Sequence, residues 1–424
     1  MVLLFSTVDA IYIFRIISLY FVNTLLHPLF IGIIFFVYFL NKQIFYANVH
    51  IMERKNFDVG YITFESVMHG ILAGFIFSML MNVLGIYVMV AHDRYLYIWL
   101  SVIILIFLNT KYFYFSYIGG LVSFLNLLFG WPAVNVSGLS AVIALFYFIE
   151  AFLIWSDGYK GAVPVFVKHN NQVVGAFRVQ KYWPIPIALL TLSIVLQSDM
   201  PSGGIVNIHT PEWWPLLGPP NIAENHTALF GFLSIPAALG YSEIIMDDLP
   251  KNKLRRTGIY LMLYSVMLLI ISVISAWMQY MKYIAAALVL LTHGVMTLIQ
   301  KLYYMHKEPF FSVPSQGVRV LDTIEDGPAH RMGIISGDVI LRINNKDVMT
   351  DKAIETILKD YPTFIWVEVL RGNKNLTLEY KNYLDGIGDL KIIIVPRDGL
   401  VPNILDIYQN MDFIHRFFDK NRTK

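Results

Sequence analysis

Ten stretches of apolar residues, each close to the length of a bilayer crossing, follow one another through the first three quarters of the chain. They lie at about 3–22, 25–41, 67–91, 95–110, 112–130, 139–155, 184–198, 226–246, 258–278 and 284–300. A helix of about 20 apolar residues spans the hydrocarbon core of a membrane, and lipid offers the backbone no outside hydrogen-bond partners. Residues 1–300 are therefore predicted to form a polytopic α-helical membrane bundle of about eight to ten crossings. A composition of 56% hydrophobic and 15% charged residues agrees with lipid as the solvent for most of the chain. The formal net charge of +2 gives no argument for nucleic acid, because the basic residues fall in short clusters between the apolar runs. Cysteine is absent, which removes disulfides, thiolate metal sites and thiol nucleophiles.

The first run carries Arg15 at its middle, a costly residue in lipid, so this segment either crosses or lies in the interface. Pro28 suits the first turn of the next helix, where its missing N–H does no harm. The N-terminus has neither a basic leader nor a small-residue cleavage site and is expected to stay in the protein. Lys42, Arg54, Lys55, Lys111, Lys160, Lys168, Arg178, Lys181, Lys251, Lys253, Arg255 and Arg256 fall in one alternate set of loops; the other holds only Arg94 and Lys282. The first set is predicted to be cytoplasmic. The last run then ends inward, which places everything after residue 300 in the cytoplasm.

The external loop 199–225 has no Lys or Arg and carries Trp213 and Trp214, read either as headgroup anchors or as an aromatic ligand patch. The cytoplasmic loop 156–183 holds two alternating runs around Asn170 and Asn171 and reads as a β-hairpin, placed to dock on the C-terminal domain or a partner. Gly70 with Gly74, and Gly119 with Gly120, let helices approach closely, and Asn82, Asn109 and Asn126 are expected to bond between helices. Glu150 lies inside a run near its cytoplasmic end, where reaching water or a neighbouring helix competes with a coupling role.

Beyond residue 300 the pattern changes to that of a small α+β domain, residues 301–400. Val318 to Leu321 alternates; Asp326, Gly327 and Pro328 turn the chain into one helical turn closed by Gly333; Gly337 and Asp338 turn it into a strand from Val339 to Ile343. Thr350 or Asp351 caps a helix with Ile354, Ile357 and Leu358 on one face, and strands follow at 364–370 and 376–380. This succession, above all GPAHRMGIISGDVILRINN, resembles a PDZ domain of the bacterial, circularly permuted type. The resemblance implies a groove in which an extended peptide, usually a protein C-terminus, adds a strand to a sheet edge beside a helix. Carried onto this chain, the carboxylate loop is Pro314, Ser315, Gln316 and Gly317, the edge strand is Val318, Arg319 and Val320, and Ile354 and Leu358 face the last ligand side chain. Gly317 either admits the ligand backbone or only bends the strand, and Ile354 and Leu358 are either groove or core.

Residues 401–424 place Ile404, Leu405, Tyr408, Met411, Ile414, Phe417 and Phe418 at helical spacing, an amphipathic helix that packs on the domain, binds a partner or lies on a membrane. A polytopic chain with a PDZ domain suggests an intramembrane metalloprotease, but no HExxH exists; at His293, Gly294 and Thr297 replace the Glu and the second His. Leu384-Asp385-Gly386 lies outside the membrane runs, and neither a serine-protease barrel nor a phosphate loop has room or motif. The chain is read as non-enzymatic, with no metal or cofactor. The whole arrangement, with LLHPLF, VVGAFRVQKYWPIP and LGYSEI, is similar to the MinJ-like bacterial cell-division topological determinants. That likeness implies a plasma-membrane adaptor at the septum or poles, bridging DivIVA-like and MinD-like proteins. The rival expectations are an inactive or regulatory relative of site-2 proteases and a transporter or export component.

Overall fold

Helices of the lengths expected from the apolar runs form the first part of the computed structural model, which describes residues 7–47, 58–89, 115–131, 134–169, 172–199, 209–218, 225–291, 308–397 and 405–406. They are α1 (Thr7–Leu25), α2 (Pro28–Ala47), α3 (Val59–Leu84), α4 (Phe115–Phe129), α5 (Val136–Ser156), α6 (Pro250–Trp277) and α7 (Gln279–Leu291). Pro28 and Pro250 stand at the first positions of α2 and α6. Among the described residues four helices, in α2, α3, α5 and α6, are long and apolar enough to cross a membrane. The expected crossing at 95–110, with Asn109, lies outside the described residues, as does His293.

Two of the expected helical crossings, 184–198 and 226–246, are strands. A short strand β1 (Val88–Met89) and the hairpin pair β2 (Val163–His169) and β3 (Gln172–Leu196) precede β4 (His226–Ile245), which pairs antiparallel with β3 along its whole length. A continuous apolar run has no periodicity by which to separate a buried strand from a buried helix. The tie is broken by Pro184, Pro186 and Pro236, which helix interiors exclude, and by β-branched Ile185, Ile187, Thr191, Ile194 and Val195. Pro186 lies directly opposite Pro236. Two prolines can face each other only at a position where neither residue bonds across the ladder, so the backbone groups of Pro184, Pro186 and Ala188 point away from β4.

That far edge of β3 is covered by β2 at one end, by β1 at the other, and by α3 between them. Gly70 and Gly74 form the contact: a Cβ at Gly70 would sit 2.1 Å from the Pro184 carbonyl oxygen and one at Gly74 2.3 Å from that of Pro186. One turn further on, Ser78 Oγ accepts the Ala188 N–H at 2.9 Å and Asn82 Nδ2 donates to the Ala188 carbonyl at 3.3 Å. The glycine pair thus docks a helix on a strand rather than on a helix, and Asn82 bonds to a strand and to its own helix at Ser78. Gly120 does bring two helices together, its Cβ position lying 2.7 Å from the backbone of Leu290. Trp214 closes the end of α3, donating from Nε1 to the Asn82 carbonyl at 3.1 Å.

The strands β2 and β3 pair from Val163↔Arg178 to His169↔Gln172, as the alternating runs predict. Leu405 and Asp406, expected within a helix, form strand β11 parallel to Val167 and Lys168 on the open edge of β2. The edge offers hydrogen bonds that a helix at these two residues would leave unused; the rest of 401–424 lies outside the described residues.

The C-terminal domain contains β5 (Val318–Thr323), α8 (Pro328–Met332), β6 (Val339–Ile343), β7 (Lys346–Asp347), α9 (Asp351–Leu358), β8 (Phe364–Arg371), β9 (Lys374–Lys381) and β10 (Ile392–Ile394). The sheet order is β10-β5-β6-β8-β9, with β7 paired to β6. Val320, Ile340, Ile343, Ile365, Val367 and Val369 are fully buried between this sheet and the two helices.

Candidate functional site: a sheet edge beside a helix

In the C-terminal sheet β5 is an interior strand. On one side Val318 and Arg319 pair with Ile340 and Val339 of β6; on the other Val320, Asp322 and Thr323 pair with Ile394, Ile393 and Ile392 of β10. The groove expected along Val318, Arg319 and Val320 is therefore closed by the chain itself. Arg319 bonds instead to the Ser312 and Gly337 carbonyls at 3.0 and 3.3 Å, and Val320 is fully buried. Ser315 and Gln316 are exposed on the preceding turn, two of whose neighbouring carbonyls are taken by the chain itself: Arg397 Nη2 donates to the carbonyls of Pro314 at 2.8 Å and Gly317 at 3.3 Å. Gly317, at φ +79°, is required because a Cβ would lie 2.4 Å from the Ile340 carbonyl oxygen. The bending role, not ligand approach, accounts for it.

Among the described residues the open edge lies one strand further out, at β10. Val395 N donates to the Arg319 carbonyl and Ile324 N to the Lys391 carbonyl, so residues 391, 393 and 395 face β5. Alternation then turns the backbone groups of Ile392 and Ile394 to the outer edge. Beside that edge runs α9, capped by Thr350 Oγ1 accepting from Ala353 N, with Ile354 and Leu358 buried against the sheet. At the start of α9 a cleft opens between Val318, Met349, Thr350, Ile394, Pro396 and Arg397. Of the residues expected in a groove, the structure thus brings Gly317 and Val318 to this cleft and keeps Ile354 and Leu358 on the facing helix.

Sequence reasoning missed the strand itself: Ile392–Val395 is four apolar residues without alternation, although Pro396 and Asp398-Gly399 mark its end. It also missed what anchors the domain. Asp338 is 1% exposed, accepts Ile335 N at 3.0 Å, and receives Arg371 in a two-pronged pair, Nε to Oδ1 at 2.9 Å and Nη2 to Oδ2 at 2.7 Å. The hydrogen bond to Asp338 holds the Arg371 guanidinium above its ordinary value.

The two faces of β10 have different neighbours. Ile392 and Ile394 pack in the domain core, whereas Ile393 and Val395 join Leu321, Phe311 and Phe177 in a second cluster. Phe177 belongs to β3, and its ring lies 5.4 Å from that of Phe311. Gly175 N donates to the Phe311 carbonyl at 3.0 Å, and a Cβ on Gly175 would meet Leu321 at 2.8 Å and Val395 at 3.0 Å. The domain sits by this contact on the β2–β3 hairpin.

A buried charge cluster lies nearby, at the end of α5. Asp157 is fully buried and receives Lys181 Nζ at 3.2 Å and Trp183 Nε1 at 2.8 Å; His69 and Lys160 approach its other oxygen at 3.8 and 3.7 Å. Lys160 also pairs with Glu65, and that hydrogen bond raises the Lys160 ammonium above its ordinary value. Among the described residues no three His, Asp or Glu side chains gather to hold a metal ion.

A family model described as a PDZ domain matches residues 319–371. The chain is 20% identical over 257 residues to the cell division topological determinant MinJ of Bacillus subtilis, covering 60% of this chain. The match spans 59% of the length of MinJ. Among solved structures, the PDZ domain of the SdrC-like protein from Listeria monocytogenes is 21% identical. That alignment covers 20% of this chain and 93% of the other, with a TM-score of 0.17 over the whole.

Proposed function

We propose that this MinJ-like chain, with a PDZ domain near its C-terminus and several long apolar helices, is a non-enzymatic adaptor of the bacterial plasma membrane. The bundle anchors it, and the PDZ groove between β10 and α9 recruits cytoplasmic proteins of the division site or poles. The observation that carries the reading is the outward edge of Ile392 and Ile394 lying beside α9, the geometry in which PDZ domains add a ligand strand.

The orientation is supported by the end of the bundle on which the domain sits. Gly175 and Phe177 lie at the end that carries Lys160, Lys168, Arg178, Lys181, Lys251 and Lys253, the basic side expected to face the cytoplasm. Replacing two helices by two strands leaves that alternation intact, because β3 and β4 run away from this end and back to it.

The likeness to MinJ directs the test to DivIVA-like and MinD-like partners. The full chain in lipid nanodiscs, wild type beside Ile354→Lys, is presented to each purified partner. Capture by the wild type with at least a tenfold loss in the variant is expected. Equal capture by both would remove the groove from the mechanism.

A further inference from the structure

A PDZ groove that takes a protein C-terminus must offer its carboxylate free N–H groups in the loop that leads into the ligand-binding strand. Here that strand is β10, and the loop is residues 384–391. Two of its N–H groups are already used: Ile387 donates to the Pro362 carbonyl at 2.9 Å and Lys391 to Asp389 Oδ1 at 2.8 Å. The second bond sets the Asp389 carboxylate of the chain itself within the loop. Tyr361, which follows α9, covers the loop from the other side. Its backbone carbonyl lies 2.4 Å from the Cβ position of Gly386, and its ring 2.5 Å from that of Gly388.

The charge at this end is also wrong for a terminus. Asp385 and Asp389 are both exposed there, and Lys391, the nearest cation in the loop, lays its stem along Gly327, toward α8. A like charge brought beside Asp389 is repelled. At the opposite end, the cleft at Met349, Thr350 and Arg397 remains open.

From this geometry we propose that the groove takes an internal extended segment and not a free C-terminus, and that the segment carries a Lys or Arg where it turns out of the groove at Tyr361 and Asp389. The inference rests on the groove reading above and specifies its ligand class. The ligand strand bonds to Ile392 and Ile394, meets the wall of Tyr361, and leaves toward solvent with its cation against Asp385 and Asp389.

The test uses the full chain in nanodiscs with two display libraries of random nonamers, one ending in a free C-terminus and one embedded between Gly-Ser spacers. Enriched sequences are then synthesised as acids and amides and titrated by fluorescence anisotropy. Enrichment from the embedded library is expected, with basic residues at one end, acid and amide binding within twofold, and loss of binding in Ile354→Lys. Asp389→Ala with Tyr361→Ala is expected to open the seat and to favour the acid at least tenfold. A wild-type preference of tenfold or more for the acid, or no basic enrichment, would overturn the ligand class while leaving the groove in place. Enrichment no greater than that by Ile354→Lys from either library would overturn the groove itself.

Discussion

Asp157 shows how one side chain can fix three elements. It ends α5, receives Lys181 and Trp183 from β3, and lies beside His69 of α3. Removing one member of a buried ion pair leaves the other uncompensated, at a cost of about 3–5 kcal/mol, whereas removing both is often close to neutral. Asp157→Leu is therefore expected to destabilise the protein by about that amount, and adding Lys181→Met should recover roughly half, the remainder being the orphaned Trp183 N–H. Equilibrium unfolding in mixed micelles measures both; equal stability of the single and double variants would contradict the pairing. Single residues of this kind were poorly legible in the sequence. Gly337 and Asp338 stood out as a turn, but Arg371, which completes the clamp, sits on a strand brought alongside only by folding. For Gly317 the sequence left two roles open, ligand approach or a bend, and the close backbone approach to Ile340 needed the sheet.

At the scale of elements, the described helices of the first part and the PDZ strands and helices other than β10 followed from periodicity, caps and turn residues. The hairpin of β3 and β4 did not, because apolar residues on both faces erase the alternation that marks a strand. Its prolines carried the information. In hydrocarbon an open strand edge leaves each N–H unsatisfied, and Pro184 and Pro186 remove two such donors where α3 covers the edge. The same logic makes Gly70 sensitive: Gly70→Ala would press a methyl group onto the Pro184 carbonyl, an overpacking cost of about 1–3 kcal/mol. Gly32→Ala on α2, where nothing lies within 4 Å, is the control. A lower unfolding midpoint for the first variant and an unchanged or higher one for the second, where alanine is the better helix former, is expected in detergent; equal midpoints would mean that α3 and β3 are not in contact. The groove was misplaced for a related reason. Val318–Val320 has the stronger alternating pattern, but the later run Ile392–Ile394 takes the edge, leaving β5 inside.

Over the whole molecule, one strand serves both the PDZ domain and its contact with the membrane part: β10 gives Ile392 and Ile394 to the domain core and Ile393 and Val395, with Phe311 and Leu321, to the contact with Phe177. A chain stopped after Gly388 keeps β5, β6, β8 and β9 but loses both the ligand edge and half of the docking face. Such a chain is expected to show no capture in the nanodisc assay and faster tryptic cleavage within residues 318–381; cleavage at the wild-type rate would show that docking does not depend on β10. The position of this strand also sets an order of events during synthesis. A ribosome releases the chain from its N-terminus, so the helices and the long hairpin are made well before Ile392 emerges. Until then the nascent protein lacks the edge proposed to hold a partner, so recruitment through that groove would begin only on molecules whose membrane part has already been translated.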